Sequence, residues 1–254
     1  MSGTLPPGRS ARGADYWSRT RQPLPCLAFL AVPLLFYEAG TAWCGGAADG
    51  SVRTGADFWM RVGLQQAGFS PAWLLPVGLA GGLLAWHAWG RFSWRLSYDT
   101  LLGMLAESLI FACCLIIIGQ LQELAFRGCA LVACDAGAFA ESAGLARVVS
   151  FVGAGVYEEM LFRLCLLPLA FGGLCWLRVR RRVAMATAIG LTSLAFAGAH
   201  YVGPAADAFL WFSFVFRFGA GLYFAALFWL RGIGIAAGCH IAYDLLVGVV
   251  LTSA

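Results

Sequence analysis

The sequence has no lysine and few charged residues of any kind. All 17 basic residues among its 254 residues are arginine, and charged residues make up 12% of the chain, about half the share found in soluble domains. Apolar residues make up 61% and the mean hydropathy is +0.78, which excludes a water-soluble globular protein. The arginines flank apolar runs and form no basic patch interleaved with aromatic residues, so nucleic acid is excluded as a partner.

Cysteine pairs of the Cys-x-x-Cys type are also missing. The nine cysteines are an odd set, and most of them fall within apolar runs, where cysteine behaves as a small hydrophobic residue. A disulfide framework is therefore not expected. Cys44, Cys129 and Cys134 lie in connecting segments and could pair in an oxidising compartment; their spacing leaves this open.

Long apolar runs recur along the whole chain and predict an all-α, polytopic transmembrane bundle of about seven to eight helices. Each run is long enough to cross about 30 Å of hydrocarbon. Residues 120–140 are less apolar, and the sequence leaves open whether they form a loop, an interfacial helix or part of an eighth membrane element. The predicted spans are residues 24–43, 72–89, 101–119, 144–177, 183–202, 209–230 and 233–251.

The chain divides into three predicted segments. Residues 1–23 carry four arginines and three prolines and are predicted to be a disordered basic tail. Residues 24–143 hold the N-terminal membrane helices with their connecting segments. Residues 144–254 hold a second set of membrane helices, in which most of the unusual polar residues lie.

The arginines also predict the orientation of the bundle. In a seven-span arrangement the N-terminal tail, Arg91, Arg95, residues 178–182 and Arg231 all fall on one side. Arginine-rich loops stay in the cytoplasm, so we expect a cytoplasmic N-terminus. Basic residues that are all arginine, together with abundant alanine, glycine and leucine, are typical of a GC-rich gene and favour a prokaryotic plasma membrane protein.

Ionisable residues inside the apolar spans are concentrated in the second set of helices. Each costs about 2.5–3.5 kcal/mol at the bilayer centre unless it has a partner or a function. Glu159 and Arg163 are four residues apart and share a helix face, so they are predicted to form an ion pair that leaves Glu158 about 100° away. In the last span, His240 and Asp244 are likewise one helical turn apart.

Two histidines and a free carboxylate suit the activation of water. Glu158 can take a proton from water with His200 beside it, while His240 and Asp244 stabilise the oxyanion of a tetrahedral intermediate. The same residue types also suit a hydrolytic zinc site. Their spacing does not separate the two chemistries.

Other intramembrane polar residues stand alone, without a motif around them. Glu38, His87, Glu107 and Arg217 are interpreted as structural, and Glu107 and Arg217 could be partners across two helices. The motif residues are predicted to lie at different depths in the membrane. Glu158 lies 20 residues before Arg178, about 30 Å along a straight helix, which would place it near the non-cytoplasmic face.

His240, in contrast to Glu158, lies only nine residues after Arg231 and is therefore predicted to lie nearer the cytoplasmic face. Either Pro168 or residues 172–173 break the long span, or one helix is tilted or re-entrant.

Taken in order, three short motifs resemble those of the CAAX protease and bacteriocin-processing family of intramembrane endopeptidases, also called the CPBP or Abi family. The resemblance covers about residues 145–251, and it identifies residues 144–254 as the catalytic core. The motifs are Glu158-Glu159-x-x-x-Arg163, Phe196-x-x-x-His200 and His240-x-x-x-Asp244.

This resemblance implies a helical bundle with an intramembrane cavity and a protease site. Glu158 would activate water with help from His200, His240 and Asp244 would polarise the scissile carbonyl, and Glu159 and Arg163 would support the site. The third motif often ends in asparagine, which can donate a hydrogen bond, whereas Asp244 donates only when protonated. An ionised Asp244 is better suited to orient His240 or to approach a metal.

The resemblance does not decide whether the site uses a metal, so we consider how many ligands the site could supply. A catalytic zinc usually has three protein ligands. Glu158, His200 and His240 could supply them only if Glu158 gave up its role as a free base. We therefore expect no cofactor, with zinc on these three residues as the alternative.

An intramembrane endopeptidase acting on a peptide or membrane-protein segment within the lipid bilayer is the leading hypothesis. The alternative is a catalytically silent scaffold or a bacteriocin-immunity-type partner-binding protein of the same fold. An ion-coupled transporter is disfavoured by the small size of the chain and by the absence of internal sequence repeats.

Overall fold

The computed structural model describes residues 16–44, 53–70, 72–128, 144–203 and 206–250. Helices are the only regular elements in these ranges, which confirms the all-α prediction. In chain order they are α1 (Pro23–Cys44), α2 (Gly55–Gln66), α3 (Leu74–Trp89), α4 (Tyr98–Gly128), α5 (Gly144–Glu159), α6 (Leu167–Trp176), α7 (Arg181–Ala199), α8 (Trp211–Arg231) and α9 (Ile233–Leu245). One π-helical turn (Met160–Leu166) joins α5 to α6, and another (Leu246–Val250) continues α9.

Among the described residues, five helical segments are long and apolar enough to cross a membrane: α1, α4, the continuous run from α5 to α6, α7 and α8. The helices α3 and α9 are also apolar but shorter. These seven segments coincide with the seven predicted spans. The prediction of an integral membrane protein is therefore confirmed.

Helix α4 is longer than the predicted span, which ended at residue 119. It continues to Gly128, so the first part of the ambiguous segment 120–140 extends this helix. The extension packs on the start of α8, where Gln122 Nε2 donates a hydrogen bond of 2.8 Å to the carbonyl of Phe212. Residues 129–143, which include Cys129 and Cys134, lie outside the described residues, and the question of an eighth element lies there too.

The last residues of the predicted tail lie against the bundle. The guanidinium of Arg231 lies 3.7 Å from the ring centroid of Trp17. Thr20 is fully buried, and its carbonyl accepts a hydrogen bond from the thiol of Cys26. Residues 1–15 lie outside the described residues, so the disordered tail and the domain boundaries stay predictions.

The short helix α2 was not predicted, and a buried ionic network attaches it to the bundle. Asp57 is fully buried and forms ion pairs with Arg53 at 2.7 Å and Arg61 at 2.6 Å. Arg61 also pairs with Glu38 of α1 at 3.0 Å, and Glu38 accepts a hydrogen bond from the hydroxyl of Tyr157 in α5. Glu38 therefore joins α1, α2 and α5.

Helix α9 is the centre of the bundle. Its residues from Ile233 to His240 are all buried, and it packs against α1, α4, α5 and α8. Glycines allow this close approach: a Cβ on Gly155 of α5 would lie 2.4 Å from the Ile241 side chain, and one on Gly238 would lie 2.4 Å from the hydroxyl of Ser108. Small residues therefore set the distance between α9 and its neighbours.

Arg231 was expected at the cytoplasmic surface, but its side chain is buried. Its guanidinium donates hydrogen bonds of 2.8 and 2.7 Å to the carboxylate of Glu107 in α4. The suggested pairing of Glu107 with Arg217 is therefore wrong. Arg217 pairs instead with Asp207, which lies in the loop before α8.

The buried position of Arg231 also accounts for the predicted difference in depth. Helix α9 begins inside the bundle, so His240 reaches the level of Glu159, whose carboxylate lies 3.0 Å from its ring. The long span is not broken at Pro168 or at residues 172–173. It runs from Gly144 to Trp176 and departs from α-helical geometry only in the π turn that follows Glu159.

Candidate functional site

Three helices bring the motif residues together. Helix α5 ends at Glu159, and the π turn that follows it carries Arg163. His200 is the C-cap residue of α7, and α9 carries His240 and Asp244. Short π-helical segments inside longer helices occur frequently at functional sites.

A fully buried carboxylate, that of Glu159, lies at the centre of this cluster. Its Oε1 atom is 3.0 Å from Arg163 Nη1, as the four-residue spacing predicted, and 3.0 Å from His240 Nδ1. Arg163 also donates a hydrogen bond of 3.0 Å to the carbonyl of Gly221 in α8. Glu159 therefore holds both a guanidinium and an imidazole in fixed positions.

The contact between Glu159 and His240 fixes the orientation of the imidazole. A carboxylate accepts hydrogen bonds, so His240 Nδ1 carries the hydrogen and Nε2 points away from Glu159. Nε2 lies between two further carboxylates, 3.9 Å from Glu158 and 3.5 Å from Asp244. The sequence suggested Asp244 as the group that orients His240, whereas Glu159 makes the shorter contact.

Glu158 is the carboxylate left free by this arrangement. Its Oε2 atom is buried and has no hydrogen-bond partner among the described residues. The side chain is 15% exposed, in contrast to the fully buried Glu159. Two adjacent glutamates thus occupy different environments, as expected for neighbours about 100° apart on one helix.

Aromatic rings pack around the two histidines. The ring of His240 stacks on Phe224 at 4.5 Å with an interplanar angle of 15°. Phe196 makes edge-to-face contacts with both His200 at 5.2 Å and His240 at 5.9 Å, and the Arg163 guanidinium lies 4.7 Å from its ring centroid. Phe196, the first residue of the second motif, is therefore the spacer between the two imidazoles.

His200 has one ring nitrogen engaged and one available. Its Nδ1 lies 2.9 Å from the carbonyl oxygen of Phe196, and a carbonyl only accepts, so Nδ1 carries the hydrogen. In the neutral ring, Nε2 is then an acceptor.

Metal binding requires several donor side chains of the cluster to lie close together. Within the described ranges, no three histidine, cysteine or acidic side chains are grouped in a geometry that could hold a metal ion. The nearest donors around His240 Nε2 are the carboxylates of Glu158 and Asp244, while Glu159 occupies Nδ1. Zinc on Glu158, His200 and His240 stays the alternative hypothesis.

A cavity of about 680 Å³ lies between α6, α7 and α8, away from the motif residues. It is next to the first turn of α7, whereas His200 is at the far end of that helix. It is therefore separate from the polar cluster. Its lining residues are Leu167, Pro168, Phe171, Arg181, Arg182, Met185, Phe228 and Trp229.

Replacing Arg163 tests the ion pair at the centre of the cluster. Arg163→Ala leaves the buried carboxylate of Glu159 without its cation, and removing one partner of a buried pair costs about 3–5 kcal/mol. We expect a clearly lower melting temperature for the purified protein in detergent. Arg182→Ala, which removes an exposed arginine, is the control; equal melting temperatures for both variants would show that Arg163 and Glu159 do not stabilise one another.

Residues 140–246 match the family model described as type II CAAX prenyl endopeptidase, Rce1-like. The matched range contains the three motifs and every residue of the polar cluster. No curated protein and no solved structure matches the chain.

The matched range begins just before α5 and ends within the π turn after α9, so α1 to α4 lie outside it. The match supports the interpretation of this protein as a CAAX-protease-like membrane endopeptidase. The resemblance drawn from the three motifs is confirmed, and residues 140–246 of this protein match the Rce1-like family of type II CAAX prenyl endopeptidases.

Proposed function

We propose that this protein is an intramembrane endopeptidase in which Glu158 activates the attacking water. The observation that carries this proposal is the contrast between two adjacent carboxylates. Oε1 of Glu159 lies 3.0 Å from both Arg163 Nη1 and His240 Nδ1, whereas Glu158 approaches only to 3.9 Å from Nε2 of the same imidazole and its side chain is 15% exposed. A free carboxylate next to a fixed imidazole suits general-base catalysis.

His200 is the partner of Glu158 in this mechanism. With Nδ1 donating to the carbonyl of Phe196, Nε2 of the neutral ring can accept a hydrogen bond from the water. Glu158 takes the proton as the water oxygen bonds to the scissile carbonyl carbon. The proton then passes to the nitrogen of the departing amine as the peptide bond breaks.

His240 is the proposed oxyanion donor. When both of its nitrogens carry hydrogens, Nδ1–H donates to Glu159 and Nε2–H is available to the developing oxyanion. Asp244, 3.5 Å from Nε2, keeps that side of the ring in place before substrate enters. An ionised Asp244 cannot itself donate, so the oxyanion contact is assigned to His240.

The proposed substrate class rests on the family match and on the composition of the chain. The name of the matching family refers to prenylated CAAX substrates. A peptide or a membrane-protein segment is the substrate we propose for this chain, because the features that favour a prokaryotic origin disfavour a prenylated protein.

Substitution of Glu158 tests the proposed base. Glu158→Gln keeps the size of the side chain but removes the proton acceptor, and we expect kcat to fall by about 10²–10⁴ with an unchanged melting temperature. The assay is mass spectrometry of a peptide library incubated with purified protein. Asp99→Asn, at an exposed acidic residue in the first turn of α4, is the matched control.

Cleavage by the Glu158→Gln protein at the wild-type rate would contradict the assignment. Absence of cleavage by the wild-type protein in every lipid and detergent condition would favour a silent scaffold.

Metal removal tests the proposed metal-independent chemistry. We expect purified, active protein to contain zinc well below one ion per chain and to keep its cleavage rate after treatment with a chelator. The measurements are elemental analysis and the library assay on the same sample. Near-stoichiometric zinc whose removal and readdition switch cleavage off and on would overturn this part of the proposal.

A further inference from the structure

Arg217 lies beside the proposed active site although no motif contains it. Its guanidinium lies 5.3 Å from the ring centroid of Tyr201, the residue that follows His200. It also forms an ion pair with Asp207, whose backbone N–H donates a hydrogen bond of 2.9 Å to the carbonyl of His200. Both contacts place Arg217 next to the end of α7.

The third motif approaches Arg217 from the other side. Phe216, its neighbour in α8, stacks on Tyr243 with ring centroids 5.7 Å apart, and Tyr243 precedes Asp244. Arg217 therefore carries a positive charge in the part of α8 that packs between the neighbours of His200 and Asp244.

The guanidinium has unused hydrogen-bonding capacity. Nη2 donates to Asp207, but Nη1 is buried and has no partner among the described residues. The side chain is 17% exposed and that of Asp207 is 34% exposed, so the pair lies at an accessible edge of the bundle. A guanidinium with a free edge can bind a carboxylate through two parallel hydrogen bonds.

We propose that Arg217 binds a carboxylate of the peptide substrate and thereby selects substrates that carry one near the scissile bond. This inference rests on the proposed endopeptidase function. The carboxylate could come from the end of the peptide chain or from an aspartate or glutamate side chain, because both present the same planar anion. Asp207 holds the guanidinium in position through Nη2, and the substrate carboxylate would reach the remaining N–H groups from the exposed part of the side chain.

Binding can be measured without hydrolysis on the Glu158→Gln protein. Synthetic peptides of mixed sequence are prepared in matched forms: a free C-terminal acid or amide, and internal glutamate or glutamine. The peptides retained by immobilised protein in lipid nanodiscs are quantified by mass spectrometry. We expect retention of carboxylate forms over their neutral counterparts by about tenfold or more, the effect of one charge-assisted interaction.

Arg217→Gln in the same background should abolish this preference, and Arg217→Lys should keep only part of it, because lysine cannot bind bidentately. Arg182→Gln, at an exposed arginine away from the site, is the control and should retain it. The terminal and internal series identify which carboxylate is bound. Equal retention of charged and neutral forms, or an unchanged preference in the folded Arg217→Gln protein, would overturn the proposal.

Cleavage by the protein with Glu158 intact separates this inference from the proposed function. Arg217→Gln should raise the ratio of KM for carboxylate peptides to KM for their neutral counterparts by about tenfold. If no peptide is cleaved while the Arg217-dependent binding preference is present, the endopeptidase function fails and the carboxylate site stands. If cleavage proceeds with equal KM for both forms, the carboxylate site fails and the endopeptidase stands.

Discussion

The buried carboxylate of Glu159 is the interaction on which the site depends. It lies between the guanidinium of Arg163 and the imidazole of His240, 3.0 Å from each. An unpaired charge at this depth would be expensive, so the carboxylate requires both partners. Because Glu159 is engaged, its neighbour Glu158 is the carboxylate left for chemistry.

The bundle is organised so that this contact can form. Glycines at positions 155 and 238 let α9 approach α5 and α4 closely. Arg231, the last residue of α8, pairs with Glu107 inside the bundle, so that α9 begins there too. The π turn after Glu159 carries Arg163, where it reaches both that carboxylate and the backbone of α8. Small residues and buried ion pairs thus decide the level at which the three motifs meet.

Much of this fold could be predicted from the sequence, because membrane spans are read from composition and length. The Glu159–Arg163 pair was predictable for a similar reason, since residues four apart on one helix share a face. The contact of Glu159 with His240 was not, because it depends on how two helices distant in sequence are rotated. Helix α2 was missed because it is short and moderately polar.

Arg231 shows a different limit of prediction from sequence. The positive-inside rule treats an arginine next to an apolar run as a surface marker, but a carboxylate on another helix can draw it into the bundle. Arg217 was interpreted as structural for want of a motif around it. Only its position between the neighbours of His200 and Asp244 indicates a role in the site.

The orientation of His240 can be tested by nitrogen-15 NMR of histidine-labelled protein. The chain has only three histidines, so single substitutions of His87 and His200 assign the signals. We expect a hydrogen on His240 Nδ1 in a strong hydrogen bond that is lost in Glu159→Ala. A His240 ring without a hydrogen on Nδ1, or one whose signals do not respond to Glu159→Ala, would contradict it.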